Sequence, residues 1–280
     1  MGMGYNPGCR REESPVDRRL LRAATKFTDV HCHCLPDLDD GPASMEEAIA
    51  LCWRLVEDNV STVVATPHQL GPFETRIRAE AIRRATGLLN RELTERGLAL
   101  VVLPGAEVRV DERIDELLAQ DEVLTLADAG RSVLLELPWD ILIDIEPLLM
   151  QLAYRGIHAI IAHPERNVPL LRRPQILQRW RACGIGLQVT AASLTGQWGR
   201  HVKRAAWRLV TEGWRVCVAT DAHDDSRPLG MTMAFKAIAA HLGRDLAHLL
   251  CVENPARAIR GEKLAPILAQ SQRGVRWQRA

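Results

Sequence analysis

Residues Asp29–Gly41 read DVHCHCLPDLDDG and straddle the end of a candidate strand, Thr28–His33. His31 and His33 are two apart, so on a strand both side chains point to one face and can chelate one ion. Asp40 follows in the next loop. Cys32 and Cys34 alternate with the histidines and face the other way, as wall packing rather than as thiolate ligands. The same placement recurs along the chain: His68 in VVATPH, Glu107 in PGAE, Glu136 in LLELP, His163 in IIAHPERN, and Asp221 with His223 in CVATDAH. Each stands at or just past the end of an apolar run. Neutral imidazoles and hard carboxylates are what divalent ions of the zinc, manganese and iron group bind. Repeated placement of this kind points to one site, and the chain reads as a metallohydrolase.

Outward from these residues, short apolar runs alternate with longer amphipathic ones. Strands are expected over Thr28–His33, Thr62–Thr66, Ala99–Val108, Ser132–Glu136, Ala159–His163, Gly186–Thr190 and Val216–Thr220, most of them rich in Val, Ile and Leu as buried parallel strands are. Ser44-Met45-Glu46-Glu47 is a capping box before a helix over Ala48–Val56. Further helices are expected over Ile77–Arg96, Glu146–Tyr154, Pro174–Ala182, Trp198–Val210 and Met231–His241. The alternation predicts an α/β fold, a closed or nearly closed parallel barrel of seven strands in a single domain over residues 27–271. Residues 1–26 read as an extension and 272–280 as a tail. In such barrels chemistry collects at the C-terminal ends of the strands, where the nine candidate ligands fall. No glycine-rich nucleotide-binding motif follows any strand.

The bulk composition narrows the function. Thirty-six basic and 35 acidic side chains leave a formal net charge of +1, which argues against a nucleic-acid-binding protein. Seven scattered cysteines fit reduced, mostly buried thiols in a cytoplasmic protein. Residues 1–26 hold no apolar core of a signal peptide, and no apolar stretch reaches the roughly 20 residues of a membrane span. A cytoplasmic protein without membrane insertion is expected.

Charge at the site favours a phosphate substrate. Three divalent ions against four carboxylates leave about +2 before any hydroxide binds. Arg166 and Arg227 follow His163 and His223 in loops on the same rim, and arginine offers paired donors to phosphate oxygens. The competing reading of each is a surface ion pair, with Glu165 or Asp225. Cys251 and Arg257 have the Cys-x5-Arg spacing of a cysteine-dependent phosphatase loop. That segment lacks glycine and contains Pro255 and Glu253, so Asn254-Pro255 reads better as the start of a helix.

Taken together, these segments resemble the polymerase-and-histidinol-phosphatase (PHP) superfamily, and within it the bacterial manganese-dependent protein-tyrosine phosphatases of capsule and exopolysaccharide loci. The likeness covers roughly Phe27 to Gly261 and implies a distorted (β/α)7 TIM-like barrel, the PHP fold. It rests on D-x-H-x-H…DDG with the MEEA helix, VATPH, GAE, LLELP, IAHPERN, Ser193-Leu194-Thr195-Gly196-Gln197-Trp198-Gly199, and ATDAH…R. The resemblance implies that His31, His33, Asp40, His68, Glu107, Glu136, His163, Asp221 and His223 hold up to three ions, Mn2+ foremost with Fe or Zn as alternatives. It implies that Arg166 and Arg227 hold the phosphoryl group and that hydroxide on metal attacks phosphorus. The implied partner is a phosphotyrosine protein, a bacterial tyrosine kinase that governs polysaccharide export. Two rivals stand beside it: a small-molecule phosphatase of the histidinol-phosphate type, and a degenerate module that binds a phosphoprotein without cleaving it. The loop Gln69-Leu70-Gly71-Pro72-Phe73 departs from the family pattern, in which a second His or a Tyr and an asparagine-bearing loop often follow.

Overall fold

The computed structural model describes residues 25–73, 77–224 and 228–268. Over these, the Val/Ile/Leu-rich runs form parallel strands: β1 (Phe27–Cys32), β2 (Val60–Ala65), β3 (His68–Gln69), β4 (Val101–Pro104), β5 (Glu107–Arg109), β6 (Ser132–Glu136), β7 (His158–Ala162), β8 (Gly186–Thr190) and β9 (Val216–Ala219). Parallel pairing requires long crossovers, and helices supply most of them. The first is Met45–Glu57, where Ser44 Oγ accepts from Glu47 N–H and Glu47 reaches back to Ala43 N–H. The expected helices at Glu146–Tyr154 and Pro174–Ala182 form with those bounds. The others shift by a residue or two at their ends: Ala79–Glu95, Arg200–Leu209 and Met231–Leu242. The extension and the tail lie outside the described residues, apart from Thr25 and Lys26.

The pairing divides into two sheets, β1-β2-β4 and β3-β5-β6-β7-β8-β9. A single closed ladder of seven strands is not what the hydrogen bonds form. The expected strand Ala99–Val108 breaks between Pro104 and Glu107 into β4 and β5, and a two-residue strand, β3, follows β2 past Pro67. Pro67 and Pro104 carry no N–H to donate to a ladder. At Gly105 a β-carbon would come within 2.6 Å of Val64 Cγ1, so only glycine lets the chains cross there. The β2–β4 pairing is nonetheless taken up again, beyond this break, by β3–β5. At the opposite margin Cys32 bridges Ala222, with Asp221 N–H donating to the His31 carbonyl and His33 N–H to that of Ala222, both at 2.8 Å.

Two apolar clusters hold this arrangement. The larger packs helices on the outer faces of the strands and includes Cys32, Cys34 and Cys52 beside Trp180 and Trp214. The smaller takes side chains from both sheets: Val30, Val64, Leu134, Ile160, Ala162, Cys217 and Ala219, with Ala258 and Leu264 from the C-terminal segment. Full burial of each Val, Leu or Ile among them contributes roughly 1.5–3 kcal/mol. Asn254, wholly buried, donates to the carbonyls of Val216 and Ala265 and so anchors that segment against β9. No helix among the described residues is long and apolar enough to cross a membrane.

Candidate metal centre

The carboxyl-terminal ends of the strands bring eight of the nine expected ligands together with Asp40 from the first loop. They fall into overlapping groups: His33, Asp40, His68 and His223; His31, His33 and Asp221; His31, Glu107 and His163; His68, Glu107 and Glu136. Register explains part of this. His68 pairs with Glu107 across β3 and β5, and Glu136 lies one strand further on. His31 Nε2 stands 3.2 Å from His33 Nε2, 3.3 Å from Glu107 Oε2 and 3.2 Å from Asp221 Oδ1. Glu107 is shared: its other oxygen is 2.8 Å from His163 Nε2, and Oε2 is 3.2 Å from His68 Nδ1. Asp40 Oδ1 faces His68 Nε2 at 3.5 Å and His223 Nε2 at 3.4 Å.

His163 and Asp221 both adopt the left-handed backbone conformation, at φ 31° and φ 54°. The chain turns sharply as it leaves β7 and β9, and the turn aims both side chains inward. Such geometry is costly for non-glycine residues and concentrates at functional sites.

Three residues behind the site were not singled out by the sequence. Asp39, whose carboxylate is buried, accepts from His33 Nδ1–H at 2.5 Å and from His68 N–H at 3.0 Å. Gln188 Oε1 accepts from His31 Nδ1–H and from His163 N–H, each at 3.0 Å. A carboxylate and an amide oxygen only accept, so in both histidines Nδ1 carries the proton and Nε2 turns toward the centre. Asp29 accepts from Thr220 N–H at 3.0 Å and Thr220 Oγ1 at 2.5 Å, tying β1 to the end of β9. Burial pushes its pKa up to about 6 against those bonds. Gln188 did carry a signal, as a lone amide in the apolar run GLQVT; Asp39 was hidden in the Asp39-Asp40 pair.

Aromatic rings border the centre. Phe73 stacks on His68 at 5.2 Å and Trp139 on His163 at 5.1 Å. The Arg166 guanidinium lies 5.5 Å from the Trp139 ring and 5.1 Å from that of Trp198. Arg166 pairs with Asp221, while its Nε has no partner among the described residues. The alternative partner, Glu165, is instead buried and accepts from Thr190 N–H and Ser193 Oγ–H. Arg227 lies outside the described residues.

The electrostatics test whether a cation fits. Burial pulls the His33 pKa down, yet Asp39 and then Glu107 raise it well above the ordinary range. Burial and then Glu107 push Glu136 up to about 7, against Arg109. Burial leads at Glu136, but at both groups a neighbouring buried carboxylate adds to the rise, and such crowding favours positive charge at the centre. His163 is held near 4 by burial and then by Arg166, and His68 near 4 by burial and then by His33, which keeps both imidazoles neutral. Neutral nitrogens facing crowded carboxylates fit divalent ions. By contrast, Cys251 is buried in a helical stretch and burial pushes its thiol up, so no phosphate-cradling loop forms there.

The chain is similar to known proteins. Tyrosine-protein phosphatase YwqE of Bacillus subtilis is 32% identical over 238 residues, covering 84% of this chain and 92% of that protein. Putative tyrosine-protein phosphatase CapC of Staphylococcus aureus is 32% identical over 212 residues, 75% of this chain and 82% of its own. A crystal structure from the work on Bacillus subtilis YwqE and Streptococcus pneumoniae CpsB, described as unique metal-dependent tyrosine phosphatases, superposes with a TM-score of 0.82 at 31% identity. It covers 86% of this chain and 97% of that one. The family model for capsular polysaccharide synthesis, CpsB/CapC, matches residues 27–260, the span that carries every candidate ligand, and the chain belongs to that family.

Proposed function

We propose that this protein is a cytoplasmic, metal-dependent protein-tyrosine phosphatase, hydrolysing phosphotyrosine on a bacterial tyrosine kinase that controls capsule or exopolysaccharide synthesis. The convergence of five imidazoles and four carboxylates at the strand ends, beside an arginine flanked by two tryptophans, carries the reading. The nine expected ligands would hold the ions, Mn2+ first among them. We read the two sheets as one distorted seven-stave barrel, supported by the Cys32–Ala222 bridge and the shared inner cluster.

When bound, divalent ions supply Lewis acidity and lower the pKa of water toward neutrality. The chain's own groups do the rest. Asp39 and Gln188 fix the tautomers of His33 and His31, so that the site is preorganised. Arg166 offers a fork for phosphoryl oxygens, held in plane by Trp139 and Trp198. The partly exposed faces of these rings and Phe73 form an apolar border suited to the phenyl ring of the substrate. Arg227 is assigned a second phosphoryl contact.

Purified protein assayed with phosphotyrosine peptides, phosphoserine peptides and histidinol phosphate tests the reading. Turnover should be greatest on phosphotyrosine, depend on Mn2+ and vanish with EDTA. Faster turnover of histidinol phosphate would transfer the chain to the small-molecule rival, and binding of phosphopeptide without turnover would make it a capture module.

A further inference from the structure

A second concentration of charge lies at the amino-terminal ends of the strands. Arg215 and Trp214 precede β9, Gly184 and Ile185 precede β8, and Lys263 follows the last helix, Asn254–Ile259. With Arg181 they line a cavity of about 330 Å³ whose walls hold three cationic side chains and no carboxylate. None of the three cations forms an ion pair among the described residues. Arg181 is fixed by donation to the carbonyls of Glu212 and Gly213 and lies 4.9 Å above the Trp214 ring. Arg215 donates to the Leu264 carbonyl. These bonds set the positions of the guanidinium groups and leave them without a carboxylate partner among the described residues. His158, at the start of β7, feels the same field: burial lowers its pKa first, then Lys263, Arg131 and Arg215.

Trp214 adds an independent mark. It is only 1% exposed, it lines the cavity, and its indole Nε1 donor has no acceptor among the described residues. A buried donor without an acceptor is rare and calls for a specific explanation.

We propose that this cavity binds a small phosphate-bearing anion, at a site separate from the candidate metal centre. Arg215 and Asp221 flank β9 and stand six positions apart in the chain, which puts the two sites roughly 20 Å apart. Three cations match a multiply charged phosphate rather than a carboxylate, and guanidinium forks suit its oxygens.

The test uses full-length, Mn2+-loaded protein and inorganic phosphate, with chloride at matched ionic strength as reference. Phosphate should raise the melting temperature of the parent. The Arg215→Gln, Lys263→Gln double variant should lose more than half of that rise, while inhibition of p-nitrophenyl phosphate hydrolysis by phosphate changes less than twofold. The rise is read for each protein against its own melting temperature without phosphate, since Arg215→Gln also gives up the bond to the Leu264 carbonyl. Should the double variant fail to fold, Lys263→Gln alone, at a residue that is exposed and without an ion pair among the described residues, carries the comparison. A full phosphate response in the variant, or an equal response to chloride, would overturn the proposal.

Discussion

Asp39 and Asp40 are adjacent and do different work. The Asp39 side chain is buried against His33, whereas Asp40 is 50% exposed and reaches His68 and His223. Asp39→Asn should keep the fold and lower metal affinity by roughly 10–100-fold, the usual effect of removing the partner of a metal-ligating histidine. Equal metal content in dialysed mutant and parent would show that His33 needs no such anchor. Arg166→Ala should retain its metal, because Asp221 gains freedom when its partner goes. Its turnover on phosphotyrosine peptides should fall by roughly ten- to a thousandfold, about 1.4–4 kcal/mol. Lysine should rescue only part, keeping the charge and losing the fork; parental rates in the alanine variant would leave phosphate to the metals. Cys251→Ser should remain active, since that thiol is buried away from the strand ends. Candidate ligands were legible one by one, because a polar residue closing an apolar run is visible in a single sequence. Their partners were not: Gln188 meets His31 across 157 residues, and Trp139 meets His163 through stacking that no spacing encodes.

Among the elements, Ser132–Glu136 and Gly186–Thr190 form strands with the bounds that hydrophobicity predicts. Periodicity reports which face a residue takes and says little about where a ladder breaks. That is why Ala99–Val108 read as one strand, although Pro104 and Gly105 divide it. Gly105→Ala should cost about 1–3 kcal/mol, the range for overpacking a filled core, since Val64 is wholly buried and cannot move aside. Urea unfolding would measure it, and an unchanged midpoint would mean the strands separate without penalty. Gly41 is constrained in the same way. A β-carbon there would run into the His33 carbonyl oxygen, so the glycine of DDG is required by the close return of the loop onto β1.

For the molecule as a whole, metal and fold are linked. The candidate ligands come from β1, the first loop, β3, β5, β6 and the turns after β7 and β9. Ions that bind only the folded chain at a hundredfold excess over Kd add about 2.7 kcal/mol. EDTA should therefore lower the melting temperature by on the order of 5–10 °C, and a scan unchanged by EDTA would mean that the site forms without holding metal. The join between the first and last strands gives this linkage a local reporter. Only two backbone bonds cross it in the described contacts, from Asp221 N–H and His33 N–H. On either side stand His31 and His33, and Asp221 and His223. An ion gripping both margins would rivet that join, so deuterium uptake at those two amides should be slow with metal and accelerate on chelation, while amides within β7 and β8 keep their pace. Isotope exchange would thus count occupied centres in a protein that has been given nothing to hydrolyse.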